Sequence, residues 1–198
     1  MAASGSLTVV GTGIQLGTHI TPEARLAIER ADVVLSVVSE PVMQGFLEQL
    51  NPSTRSLHEL YELGESRAEA YEAMTEEILR HVREGKAVCA AFYGHPGVFV
   101  APSHEAVRRA RAEGFPARML PGISAEDCLF ADLGVDPSRV GCQSYEATDF
   151  LVHARTIDPT AALVLWQIGT VGSTVAADGA RPTGLPVLVE ILLEHYPP

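Results

Sequence analysis

Short apolar runs alternate with stretches of helical spacing along most of the chain, and glycine or proline punctuates nearly every junction. Ser6 to Val10 is rich in β-formers and opens into Gly11-Thr12-Gly13, which predicts a strand followed by a glycine turn. Thr21-Pro22-Glu23 then starts a helix: Thr21 can cap it, and Pro22 takes the first helical position, where its missing N–H costs nothing. That helix runs through Leu26 and Ile28 to Ala31. Val33 to Val38 is continuously apolar, as a parallel strand covered on both faces should be. Strand, helix and strand make a first βαβ unit. Ser66 and Glu69 have capping-box spacing, and Tyr71, Met74, Ile78 and Val82 form one apolar stripe that Gly85 ends. Ala87 to Ala91 is the next strand, and Ser103 caps a helix from His104 to Ala112. Pro116 to Leu120 is a further strand, broken by Pro121-Gly122, and Ser124 to Leu133 is a helix.

Gly134 to Arg139 reads as a linker, which divides the chain into α/β domains at 1–135 and 140–198. The second domain is expected to hold a strand at Gly141 to Tyr145, a helix at Asp149 to Ala154 and a strand at Ala162 to Gln167. A loop follows from Ala176 to Gly184, and Leu185, Leu188, Val189, Leu192 and Leu193 line a terminal helix. With so few strands it reads as truncated, its last helix short of partners.

Composition narrows the partners. Of 198 residues 46% are apolar and 20% charged, the profile of a folded domain, and the formal net charge is -11. No block of Lys or Arg could line a phosphate track, which argues against nucleic acid and anionic membranes but leaves room for a local basic pocket. No apolar run approaches the length of a membrane span, and the N-terminus lacks a basic-then-apolar signal. Cys89, Cys128 and Cys142 sit among small or apolar residues without Cys-x-x-Cys spacing. They read as buried free thiols of a cytoplasmic protein. His81, His95, His104, His153 and His195 make no ligand-spaced set with them, so no metal is expected.

The densest local signal is Phe92-Tyr93-Gly94-His95-Pro96-Gly97-Val98-Phe99, directly after the strand at Ala87 to Ala91. Its glycines let backbone approach a ligand closely, and its proline stiffens the turn. Ligands of open α/β sheets bind beyond the carboxyl ends of strands, so this loop is the first candidate cofactor site.

With Leu7–Gly13, Phe92–Val100, Leu120–Leu133, Gly141–Thr148 and Leu165–Gly169 in this order, the chain resembles the tetrapyrrole methylase superfamily. Within it the match is nearest to the borosin enzymes, which methylate backbone amide nitrogens of a ribosomal peptide. The resemblance implies two α/β domains with a cofactor cleft between them, S-adenosylmethionine as donor, a homodimer, and a peptide substrate, fused or supplied as a separate precursor. It sets the donor against Tyr93, His95, Pro96, Val98 and Val100, with Ser124 and Ala125 in the next loop and Gln167 from the second domain. Two rivals stay open: C-methylation of a tetrapyrrole precursor, and a non-catalytic subunit that binds donor or partner. The first would favour more cations than Arg155 and Arg181 in the second half.

The borosin pattern of tyrosine, arginine and tyrosine carries over onto Tyr61, Arg67 and Tyr71, and His58 stands where a further aromatic hydroxyl is expected. An amide nitrogen is a poor nucleophile because its lone pair is delocalised into the carbonyl. The expected roles are oxyanion stabilisation for Arg67, proton handling for Tyr71 and substrate orientation for Tyr61, with His58 able to donate or accept a proton. By spacing alone Tyr71 also reads as a core tyrosine, and Arg67 as a surface partner of Glu62, Glu65 or Glu69.

Overall fold

The computed structural model describes residues 5–38, 40–63, 66–173 and 182–196. They fall into two units, Met1–Leu129 and Phe130–Pro198. In the first, β1 (Ser6–Gly11), β2 (Val33–Val37), β3 (Thr54–Ser56), β4 (Ala87–Phe92) and β5 (Ala117–Met119) form one sheet in the order β3-β2-β4-β1-β5. Every pairing is parallel. β2 and β4 are largely apolar on both faces because both are covered. Leu7, Val9, Val33, Leu35, Val88, Ala90 and Phe92 point into one core, and Val10, Val34, Cys89 and Ala91 into the other.

Helices α1 (Pro22–Arg30) and α2 (Pro41–Leu50) cover the second of these faces through Ala24, Ile28, Met43 and Leu47. A short α3 (Glu59–Leu63) leads to α4 (Arg67–Arg83), which covers the first face together with α5 (Ala101–Ala112) through Met74, Ile78, Val82, Ala106 and Ala110. The chain leaves β1 by way of α1 toward β2 and leaves β4 by way of α5 toward β5. Neighbouring strands thus send their helices to opposite faces, and the loops beyond Gly11 and Phe92 lie side by side where the two connections diverge. That is the topological switch point at which open α/β sheets bind ligands.

Thr21 caps α1 by accepting from the Ala24 N–H at 3.1 Å, and Ser66 and Glu69 form the expected capping box at the start of α4. The unit of β1, α1 and β2 is present, with β4 inserted between its two strands. Several expectations are corrected. α5 begins at Ala101, not His104, since Pro102 suits a first helical turn; Ser103 is therefore inside the helix, buried, and caps nothing. α2 and β3 had no counterpart in the pattern: Gly45 and Gln44 dilute the helix, and three residues are too few to show a strand period. Pro41 followed by Met43, Phe46, Leu47 and Leu50 was the available sign of α2. Of the thiols only Cys89 is buried, which pushes its pKa up to about 12; Cys128 and Cys142 are half-buried, and all three are free.

Helix α6 (Ala125–Leu133) contains the division between the units. In the second unit β6 (Cys142–Glu146) and β7 (Ala162–Trp166) pair in parallel, with α7 (Ala147–Val152) and α8 (Leu185–His195) built on Ala147, Phe150, Val171 and Leu188. Helix α7 starts earlier than its pattern suggests, because Glu146 accepts the Asp149 N–H at 2.7 Å and caps it. On α8, Leu188, Ile191 and Leu192 join the core while Val187, Val189 and Leu193 are exposed. Most of the loop expected from Ala176 to Gly184 lies outside the described residues. Among the described residues no helix is long and apolar enough to cross a membrane.

Candidate active site

Three loops meet beyond the carboxyl ends of β1, β4 and β5, and glycine is what lets them. A Cβ on Gly11 would stand 2.2 Å from the Gly94 carbonyl oxygen, and one on Gly122 would stand 3.2 Å from the same atom and 3.3 Å from the Gly11 Cα. Gly13 and Gly94, both with φ of 70°, exchange backbone hydrogen bonds of 3.2 and 3.1 Å. The Thr12 N–H adds a bond to the Phe92 carbonyl at 2.8 Å. Side chains at these positions would force the loops apart.

The loop after β4 is fixed along its length. The Tyr93 N–H donates to Val37 at 3.1 Å, the Gly97 N–H to His95 Nδ1 at 2.9 Å, and the Val98 N–H to the His95 carbonyl at 3.2 Å. Because Nδ1 accepts, a neutral His95 ring carries its proton on Nε2. From α5, the Ser103 hydroxyl donates to the Pro96 carbonyl and His104 Nε2–H to the Gly97 carbonyl at 2.9 Å. Sequence reasoning gave neither residue this role; a Ser-His pair inside the first turn after a glycine loop was the signal. Pro96 is buried, His95, Val98 and Val100 are half-buried, and Tyr93 is exposed. Burial and the charges of Glu40 and Cys128 raise the Tyr93 phenol above its ordinary value, so it stays neutral.

Ser124, 6% exposed, precedes α6, and Ala125 is its exposed first residue. The Ser124 N–H and hydroxyl both donate to Asp127 Oδ2, at 2.7 and 2.8 Å, and the Asp127 N–H returns a bond to Ser124 Oγ at 3.1 Å. Both Ser124 donors are therefore engaged by Asp127, which sequence reasoning passed over although Ser124-x-x-Asp127 is a capping spacing. The Ser124 bonds, with a smaller contribution from the charge of His95, hold Asp127 below the usual carboxylate range. A depressed folded pKa contributes stability above the unfolded pKa and loses it as pH falls through the folded one. Asp127→Ala is thus expected to cost about 1 kcal/mol at neutral pH, solvent screening keeping it small. Urea melts at falling pH should show the difference from the natural chain closing below about pH 4.

The second cluster sits where α3 meets α4. The rings of His58 and Tyr61 lie 5.7 Å apart, and those of Tyr61 and Tyr71 6.0 Å apart and edge to face. Tyr61 and Tyr71 pack on the same core as Val100 and Phe92. Burial, then the neighbouring Tyr71 to which it hydrogen-bonds, raise the Tyr61 phenol far above its ordinary value, and the Arg67 guanidinium works against both. The four residues predicted from sequence are thus one cluster, His58 exposed at its outer end. Of the carboxylates named as rival partners of Arg67, Glu69 is bound to Ser66 at 3.0 Å, whereas Glu65 and the Glu62 side chain lie outside the described residues. Gln167 belongs to the second unit, at the end of β7, exposed and with φ of 58°.

The tetrapyrrole (corrin/porphyrin) methylases match residues 6–198. Over 169 residues the chain is 51% identical to a methyltransferase/ribosomally synthesized type I borosin cyclic peptide precursor of Coprinopsis marcescibilis, covering 85% of this chain and 43% of that protein. Over 194 residues it is 49% identical to the methyltransferase/ribosomally synthesized cyclic peptide omphalotin A precursor of Omphalotus olearius, covering 98% and 46%. The chain thus spans less than half the length of these curated relatives. Among solved structures, uroporphyrin-III-C-methyltransferase from Thermus thermophilus superposes with a TM-score of 0.65 at 24% identity, over 98% of this chain and 76% of that one. Diphthine synthase gives 0.61 at 21%, over 96% and 71%. At such identities the likeness is one of fold.

Proposed function

The chain belongs to the tetrapyrrole methylase family, and from that premise we propose that it is an S-adenosylmethionine-dependent methyltransferase acting on backbone amide nitrogens of a ribosomally made peptide. One observation carries the reading: at the sheet's switch point Gly11, Gly94 and Gly122 bring three loops to backbone contact. In the proposal that contact is the floor of a donor cradle walled by Tyr93, His95, Pro96, Val98 and Val100. The residues fit an adenosyl sulfonium. Tyr93, Pro96, Val98 and Val100 are apolar or neutral, and Tyr93 feels the carboxylate of Glu40, which suits a cation. Ala125 opens a helix whose first-turn N–H groups suit a carboxylate. The substrate half of the proposal is supported by the relatives, named as methyltransferases joined to peptide precursors.

When bound, the donor supplies an electrophilic methyl group. The chain's own residues then have three tasks. Arg67 polarises the amide carbonyl and stabilises the negative charge that grows on its oxygen. Tyr61, held protonated by burial, donates to Tyr71 and orients it. Tyr71, once its own phenol proton has passed to solvent, receives the amide proton. Packed on one core with Val100, the pair is held rigidly relative to the loop after β4.

Intact-mass analysis of candidate precursor peptides, incubated or co-expressed with the protein, tests this. Peptides should gain units of one methylene mass, and fragment ions should put them on backbone nitrogens. Methyl groups on side chains or on a tetrapyrrole instead would replace the reading.

A further inference from the structure

A basic groove stands out in the acidic chain. Along α4 and α5 three arginines are neutralised by glutamates: Arg80 by Glu77 and Glu84, Arg83 by Glu76 and Glu113, Arg109 by Glu72, Glu76 and Glu105. Arg118 and Arg30 differ. Arg118 has only Glu23, at 3.4 Å with both side chains about 60% exposed, and Arg30 has no ion pair among the described residues. Both line an open cavity of about 290 Å³ between α1 and β5, floored by Ser6 and Thr8.

The sheet makes this cavity polar. β1 is the neighbour of both β4 and β5, yet on the α1 face its residues Ser6 and Thr8 are polar where the opposite face has Leu7 and Val9. A parallel strand covered on both faces is normally apolar on both. Thr8 is in register with Arg118 on β5, so hydroxyl and guanidinium share one face, and Ser6 is in register with Ala87. Alanines at 27, 31 and 87 leave room above them. No side-chain hydrogen bond engages Ser6 or Thr8 among the described residues. The groove therefore offers two guanidiniums and two hydroxyls around one space, at the end of the sheet where β1 and β4 begin and opposite the glycine loops.

We infer that this groove binds a small oxyanion, a carboxylate or phosphate group, held by the Arg118 fork with Thr8 and Ser6 beneath it and attracted by Arg30. A guanidinium's parallel N–H groups match both oxyanions. Glu23 already sets a carboxylate on Arg118 and is the group a ligand displaces. Placed at the other end of the sheet, the site is independent of the proposed donor site, and its failure would leave that proposal standing.

Titration calorimetry at low ionic strength, with inorganic phosphate and with succinate, tests it against sodium chloride of matched ionic strength. Saturable one-site binding is expected, weakened about tenfold or more by Arg118→Gln and about threefold by Arg30→Gln, both surface changes that should leave the melting temperature in place. Glu23→Gln should tighten binding by removing the competitor. Saturation by phosphate alone or by succinate alone would identify the natural oxyanion, and either supports the site. Heats that never saturate, or an affinity indifferent to both Arg118→Gln and Glu23→Gln, overturn it.

Discussion

Tyr71→Phe is expected to slow methylation by about 10²–10⁴-fold while donor affinity stays unchanged. The Tyr61 phenol is pushed far above its ordinary value by burial and by Tyr71, so it stays protonated at neutral pH, and its usable property is donation. A hydrogen bond given by Tyr61 stabilises the phenolate form of Tyr71 that takes the amide proton, and Arg67, felt electrostatically by Tyr61, supports the same charge from α4. Removing the Tyr71 hydroxyl deletes the acceptor of the amide proton; removing that of Tyr61 deletes only its support. Tyr61→Phe should therefore be milder, about tenfold. Single-turnover assays read by intact mass separate these effects from binding. If Tyr71→Phe turns over at the natural rate, Tyr71 is a core tyrosine and the proton leaves by another route.

Gly11→Ala is expected to abolish donor binding and to destabilise the first unit by about 1–3 kcal/mol. The methyl group would arrive 2.2 Å from a backbone carbonyl oxygen, that of Gly94, with Pro96 Cδ at 2.8 Å. Neither can step aside as a flexible side chain would, because Gly94 is bonded to Gly13 and the Pro96 carbonyl is held by Ser103. Gly45→Ala supplies the contrast. Gly45 lies inside α2 with nothing within 4 Å of an added Cβ, so alanine there should stabilise by up to about 1 kcal/mol and leave binding alone. Urea denaturation of the two variants should bracket the natural chain. A Gly11→Ala protein as stable as its parent would mean that the loops are not locked together.

The sequence was most legible where local chemistry and the global fold agree. Thr21, Pro22, Ser66, Glu69 and the Tyr71-to-Val82 stripe mark helix starts and faces unambiguously, and β2 and β4 are apolar because both of their faces are covered. Strand order was not legible, since nothing local in β1 or β2 tells that β4 will insert between them; pairing is decided by tertiary packing. Ser103 shows the same limit at one residue. Its type and position suit a cap, but Pro102 draws the helix start earlier, and the hydroxyl turns instead to the Pro96 carbonyl. In the candidate site the aromatic cluster was named through the family resemblance, because by spacing alone Tyr71 fits the apolar stripe of α4 as well as any core tyrosine; the structure brings the His58, Tyr61 and Tyr71 rings together. The hold of Asp127 on Ser124 had one sign in the sequence, the capping spacing Ser124-x-x-Asp127, and nothing local told that the carboxylate would take both Ser124 donors.

The account rests on a donor held by the glycine cradle beyond β1, β4 and β5. Calorimetric titration of the folded protein with S-adenosylhomocysteine, the demethylated donor, tests that claim most directly. Saturable binding of one molecule per chain is predicted, lost in Gly11→Ala and kept in Tyr71→Phe. A folded protein that gives no binding heat, or one whose affinity survives Gly11→Ala intact, would contradict it.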